Sequence, residues 1–210
     1  MPIIVTPVFS GAAAAFSYVA DSVTEMSSRG TSLSLALPTY QAGDLLVAFL
    51  ASNGYTVSTP TGWTKRYTPS SNGIHIYTKV AVAGEATPAF VYSASDIQVG
   101  CMVSIRGATY VNSTSASDLA FPSCPSVNNG LAIGFAYDYH SGSTARNYTG
   151  SGWTELRDTT SAVNDGNGYY NHWGLYRNPT TGTTSPASGT ITDSGESLTY
   201  LLGVATVGPS

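Results

Sequence analysis

Gly43-Asp44-Leu45-Leu46-Val47-Ala48-Phe49 returns 86 residues later as Asn129-Gly130-Leu131-Ala132-Ile133-Gly134-Phe135, with Leu45 falling on Leu131 and Phe49 on Phe135. Each copy is a short, continuous apolar run bounded by Gly or Asn, the pattern of a strand buried in a sandwich core. Further matches flank it in order. Leu35-Ala36-Leu37-Pro38 returns as Leu119-Ala120-Phe121-Pro122 at offset 84, and Gly62-Trp63-Thr64 as Gly152-Trp153-Thr154 at offset 90. Ile74-His75-Ile76-Tyr77 corresponds to Trp173-Gly174-Leu175-Tyr176 at offset 99, and Ile105-Arg106-Gly107-Ala108 to Leu201-Leu202-Gly203-Val204 at offset 96. Order is kept while the offset drifts, as loop insertions between fixed strands produce.

Each half, about 33–110 and 119–207, therefore reads as four strands. The first is Leu45 to Ala51 or Leu131 to Tyr137; the second follows the Gly-Trp-Thr turn. In the third, Ile74, Ile76, Thr78 and Val80 share one face and His75, Tyr77 and Lys79 the other, which predicts Trp173 and Leu175 as core. The fourth is Val99 to Ile105, matched by Ser197 to Leu201, each ending at a Gly. Asn72-Gly73 and Gly166-Asn167-Gly168 are tight hairpin signals, because Gly and Asn accept positive φ cheaply. Phe16 to Glu25 and Gly30 to Leu37 supply two more strands at the rim. Two four-stranded units that each hide one apolar face bury those faces on each other. The expected fold is all-β: a two-sheet antiparallel sandwich, jelly-roll-like, built from an internal duplication. Residues 16–210 form this single domain, and 1–15 an extended apolar arm carrying Ile3, Ile4, Val5, Val8 and Phe9.

Composition agrees. Charged residues are 10% of the 210, against roughly a quarter in an average soluble domain. The surface is therefore built from the 28 Ser and 26 Thr rather than from ions. Eight basic against twelve acidic residues give no electrostatic footprint for a phosphate backbone, so nucleic acid is not an expected partner. Apolar runs such as Leu45 to Ala51 fall far short of the ~20 residues of a membrane-spanning helix. Residues 1–20 lack Lys and Arg and carry Pro2, Pro7 and Gly11, which argues against a secretory leader. Cys101 and Cys124 make neither a disulfide framework nor a zinc-site spacing, and whether they pair is left open.

Motifs that carry chemistry are absent: no Gly-x-Ser-x-Gly elbow, His-Glu-x-x-His, P-loop or dinucleotide glycine fingerprint occurs. His75, His140 and His172 have Asp138 as a conceivable carboxylate partner, but isolated histidines of this kind usually serve surface or packing roles; His75 and His172 are expected outward on a strand or at its start. Asp158, Asp165, Asp193 and Glu196 offer carboxylates for a glycosidase, yet no spacing selects a pair, and such residues commonly bond their own turns. Asn164 to Gly168 resembles part of a calcium loop but lacks the bidentate Glu. Neither cofactor nor metal is implied. Trp63 and Trp153 stand at equivalent places and are expected to anchor turns in the core. Tyr137, Tyr139, Tyr148, Tyr169 and Tyr170 concentrate around the second half's longer loops. They suit subunit contact, because Tyr gives interface area at low entropy cost, and they also suit a sugar platform.

Ala42 to Phe49, Thr61-Gly62-Trp63-Thr64, Tyr77-Thr78-Lys79-Val80-Ala81 with Gly84-Glu85, and Ile105-Arg106-Gly107-Ala108 together resemble a β-sandwich domain recurrent in tailed-bacteriophage virion proteins, including capsid decoration and fibre-type proteins. The resemblance covers about residues 15–207 and lies in turns and core positions, not in a catalytic signature. It implies a non-enzymatic structural protein on the virion exterior, made in the host cytoplasm. The implied partners are the major capsid protein or other virion subunits, and further copies of the chain, with a trimer favoured. The arm residues Ile3, Ile4, Val5, Val8 and Phe9 are the candidate partner-binding segment, able to add a strand to a neighbour's sheet edge. The alternative is a carbohydrate- or receptor-binding module of a tail fibre or tail tip, with Tyr139, Tyr148, Tyr169 and Tyr170 as its platform for a host glycan. A long shaft and an obvious tail-attachment domain, which a full-length fibre needs, do not occur in the sequence.

Overall fold

A computed structural model describes residues 15–116, 121–125, 128–140, 153–158, 163–164, 170–180 and 199–210. Among these every regular element is a strand. The first sheet contains β1 (Ser17–Glu25), β3 (Leu45–Ser52), β4 (Thr64–Tyr67), β5 (Gly73–Val80) and β7 (Val99–Arg106), ordered β1-β7-β3-β5-β4. The second contains β8 (Ala108–Ala116), β9 (Gly130–His140), β10 (Thr154–Asp158), β12 (Tyr170–Thr180) and β13 (Thr199–Pro209), ordered β8-β13-β9-β12-β10. The short β11 (Val163–Asn164) adds to β12. All pairings within the two sheets are antiparallel. Each sheet draws on one half of the chain. The chain changes sheet at Gly107, whose φ of 57° lies in the left-handed region that glycine enters without a Cβ clash.

The two strand orders are the same, and so are the registers. Phe49 pairs with Ile76, and Phe135 with Leu175, 86 and 99 residues further on, as the sequence match predicts. One pairing differs from that match. Phe49 faces Cys101 while Phe135 faces Gly203, so β13 corresponds to β7 at offset 102 rather than 96. The terminal glycine used to align them is a weak marker, because Gly203 lies inside β13. The correspondence also begins earlier than residue 33. Tyr18 stands against Ile105, and Tyr110 against Val207, with a bulge following each tyrosine at Val19 and Val111. The strand Ser17–Glu25 is the edge strand of the first sheet, at the rim as expected, and belongs to the matched set. Gly43 and Asn129, 86 apart, both adopt positive φ (93° and 55°) ahead of β3 and β9.

The sheets pack face to face around Val47, Phe49, Ile76 and Val103 from one and Ile133, Phe135, Leu175 and Val207 from the other. The Phe49 and Phe135 rings meet at 6.2 Å between centroids. Trp173 and Leu175 are in this core, as expected. The first sheet is buried on its second face too. A small sheet of β2 (Gly30–Ser34) and β6 (Ala89–Asp96) covers Leu46, Ala48, Leu50, Tyr77 and Met102 with Leu33, Phe90 and Tyr92. His75 consequently lies buried, not outward. Alternation misleads here because the polar face of β5 meets carbonyls instead of water: Tyr77 Oη donates to Val57 O at 3.0 Å, and His75 Nε2 lies 3.1 Å from Tyr55 O. Trp63 and Trp153 are buried on the outer faces of their sheets, each against a phenylalanine. Both cysteines are buried and free.

Candidate functional site

The charged groups account for themselves within the molecule. Arg106 pairs with Asp44 (Nε to Oδ1 3.1 Å), Arg157 with Asp21 (2.8 Å), Arg29 with Asp96 (3.9 Å) and Lys79 with Glu85. Arg66 donates to Thr78 Oγ1 and lies over the Tyr110 ring, Lys65 donates to Val57 O, and Arg177 lies over Tyr18. All seven described cations are therefore engaged inside the chain, and no cationic stripe is left among the described residues to meet a polyanion. Groups of three or more His, Cys, Asp or Glu placed to hold a metal ion are likewise not found among the described residues.

Among the groups displaced from their ordinary values, buried His75 and half-buried Glu25 are brought to values between about 4 and 7. Burial pushes the His75 imidazole down to about 4; Tyr55 O partly opposes that shift and the nearby Lys65 charge adds to it. Burial raises the Glu25 carboxyl, at the end of β1, to about 7. The Trp173 indole facing it from the second sheet offsets part of that rise, although neither Trp173 Nε1 nor Glu25 Oε1 completes a hydrogen bond of standard geometry. In both cases burial penalises the charged form, which ties the two groups to folding stability.

The polar candidates gather at one end of the second sheet. There β9, β12 and β13 each run two residues past their counterparts in the first sheet: β3 ends at Ser52 where β9 continues to His140, β5 begins at Gly73 where β12 begins at Tyr170, and β7 begins at Val99 where β13 begins at Thr199. The last core rung, Trp173–Tyr137–Leu201, is followed by His172–Asp138–Tyr200, then by Asn171–Tyr139–Thr199, then by Tyr170–His140. β11 pairs alongside, Val163 with Asn171 and Asn164 with Tyr170.

Of the tyrosines expected to form a platform, Tyr139 and Tyr170 thus stand on successive rungs of neighbouring strands. Tyr137, the last residue of the expected buried strand Leu131 to Tyr137, is buried between the sheets and does not join them. Tyr148 and Tyr169 lie outside the described residues, as do the arm residues Ile3, Ile4, Val5, Val8 and Phe9. Of the carboxylates considered for hydrolysis, Asp158 ends β10 opposite Gly174, and Asp165, Asp193 and Glu196 lie outside the described residues. Sequence reasoning did not assign Asp138, His172 and Tyr200 to a common rung. The duplicated pattern contained the signal, since Gly73 falls on His172 and Ser52 on Asp138, but only the pairing of β13 brings Tyr200 beside them. Asp138 is fully buried and so closed to a solute.

Compared with known protein families, with curated proteins and with solved structures, the chain has no match.

Proposed function

We propose that this chain is a non-enzymatic structural protein of a virion exterior, a decoration or cement protein that binds shell subunits or its own copies through its outer surface and its apolar N-terminal arm. The observation that carries this reading is the internal engagement of all seven described cations around a doubly layered β core. A surface left to Ser, Thr and Tyr packs against a neighbour without the desolvation penalty of unpaired ions. The sequence resemblance to phage sandwich domains supplies the setting. Ile3 to Phe9 supplies an apolar segment with no charge, suited to strand addition at a sheet edge.

The test is the solution mass of the purified protein, followed by co-sedimentation with empty capsids of the virus that encodes it. A stable trimer that saturates capsids at fixed stoichiometry is expected. Deleting residues 2–11 is expected to abolish the association while the sandwich stays folded. A monomer that ignores capsids, or an arm deletion that changes nothing, rejects the reading.

A further inference from the structure

The chain has two lysines, Lys65 and Lys79, and their surroundings differ. Lys79 ends on the buried carboxylate of Glu85. Lys65, half-buried on the edge strand β4, ends on a carbonyl instead: its Nζ donates to Val57 O at 2.7 Å. That Nζ stands 5.4 Å from the centre of the Tyr77 ring, and Lys65 and Tyr77 are cross-strand partners. Tyr77 Oη donates to the same carbonyl at 3.0 Å, so Val57 O holds the amine and the phenol together. The described groups around Lys65 bring it no anion. Burial keeps His75 neutral and keeps Tyr77 and Tyr92 protonated, Asp96 of β6 accepts from Asn53 Nδ2 and Ile97 N, and residues 56–59 carry no charge. Burial therefore lowers the Lys65 ammonium from its ordinary range without opposition. The fold does not need an amine at this place. In the second sheet Glu155 pairs with Tyr176 as Lys65 pairs with Tyr77, each just ahead of a bulge.

We propose that Lys65 is a reactive amine that captures small aldehydes as a Schiff base. The lone pair of the unprotonated Nζ adds to the aldehyde carbon, and the C=O π pair moves to oxygen, which takes a proton while Nζ gives one up. The carbinolamine hydroxyl then leaves as water and the C=N bond forms, so aldehyde and amine give imine and water with nothing oxidised or reduced. A half-buried lysine without a carboxylate holds more of the unprotonated form at neutral pH than a solvated one does, which is the condition that Schiff-base lysines meet. Lys79 lacks it, because its amine forfeits the Glu85 ion pair on reacting. Val57 O fixes the Lys65 amine in place while leaving it on an edge strand that water reaches. This inference does not rest on capsid decoration; it concerns the outer face of the first sheet wherever the protein resides.

The test treats the full-length protein and an equal amount of Nα-acetyl-lysine amide, in one vessel, with propanal and sodium cyanoborohydride, which reduces each imine to a stable secondary amine. Peptide masses over time give the rates at Lys65 and Lys79 beside that of the free lysine. At neutral pH Lys65 should outrun both by at least about threefold, and its lead over the free lysine should narrow as pH rises towards the ordinary lysine range, where every amine is unprotonated. If the sandwich opens in strong alkali, the trend below that opening makes the same comparison. A Lys65 rate less than threefold that of the free lysine at neutral pH, a lead that does not change with pH, or labelling of Lys79 as fast as Lys65 overturns the proposal.

Discussion

Ser104 and Thr206 make the same two hydrogen bonds in the two sheets. Ser104 Oγ donates to Thr39 O at 2.6 Å and lies 3.4 Å from Ala20 O; Thr206 Oγ1 donates to Pro125 O at 2.6 Å and lies 3.5 Å from Asn112 O. Each hydroxyl ties an edge strand, just past its bulge, to the segment that leads into the next strand of the sheet. Both hydroxyl residues are fully buried, while the carbonyls they meet belong to exposed or half-buried residues, so each bond counts as an ordinary one. Ser104→Ala and Thr206→Val should each lower stability by about 1 kcal/mol. The two losses should add, because the sites are in different sheets. Urea unfolding of the two variants and of their combination checks this.

The aromatic clusters outside each sheet are matched in membership but not in source. Trp63 and Tyr77 close on Phe90 of β6, at 5.8 and 5.0 Å between ring centroids. Their counterparts Trp153 and Tyr176 close on Phe121, which lies ahead of β9, at 4.7 and 5.5 Å. Phe90→Ala and Phe121→Ala should each cost about 3–5 kcal/mol, as truncation of a fully buried ring does. Phe121 is the sharper case, because it belongs to no strand. If its alanine variant unfolds at the parent urea concentration with unchanged tryptophan emission, the cluster is not a stabilising unit.

Gly203 is held by its neighbour. A Cβ there would lie 2.8 Å from both Cβ and Cγ2 of Ile74, across the sandwich, whereas the matching position in the first sheet holds Cys101. Gly203→Ala should destabilise by about 1–3 kcal/mol through overpacking. In an Ile74→Ala background, itself costly by about 2–5 kcal/mol, the contacts with the γ carbons are removed but the Cβ contact at 2.8 Å stays, so the Gly203→Ala penalty should shrink without vanishing. A double-mutant cycle by chemical denaturation measures that coupling.

Much of this architecture was legible in the sequence where burial leaves apolar runs. Leu45 to Phe49 and Leu131 to Phe135 announce paired central strands, and the Ile76 to Leu175 match gives their register correctly. The edge strands were not matched, because β1 and β8 are half-exposed and their equivalence lies mainly in Tyr18-Val19 and Tyr110-Val111 and in the bulge. Covering of the first sheet's second face was hidden as well. His75 and Tyr77 look like solvent-facing residues until the Tyr55 and Val57 carbonyls are seen to meet them. The extension of β9, β12 and β13 could not be read, since strand ends depend on backbone pairing and not on apolar period. Its tyrosines were visible as a concentration, without the rungs that order them.

Acid and alkali should act on two different groups. The folded-state pKa of His75 is lowered from 6.5 to about 4, so the unfolded chain takes up the proton first. Stability is therefore unaffected by His75 above about pH 6.5 and falls as pH drops from there towards 4. The folded-state pKa of Glu25 is raised from 4.5 to about 7, so the unfolded chain loses its proton first. Its contribution is intact below pH 4.5 and is lost as pH rises towards 7. Between 4.5 and 6.5 the two slopes oppose each other and the parent protein should show a shallow profile; below 4.5 His75 acts alone. Glu25→Gln should raise stability at pH 8 by on the order of 1 kcal/mol after allowance for solvent screening, with no gain at pH 4.5. His75→Phe exchanges an acid-sensitive ring for an inert one and should remove about 2 kcal/mol of the loss between pH 6.5 and 4. Urea midpoints collected from pH 4 to pH 8 decide both assignments. A Glu25→Gln gain of equal size at pH 4.5 and pH 8 removes the carboxyl from the account, and an undiminished acid loss in His75→Phe removes the imidazole.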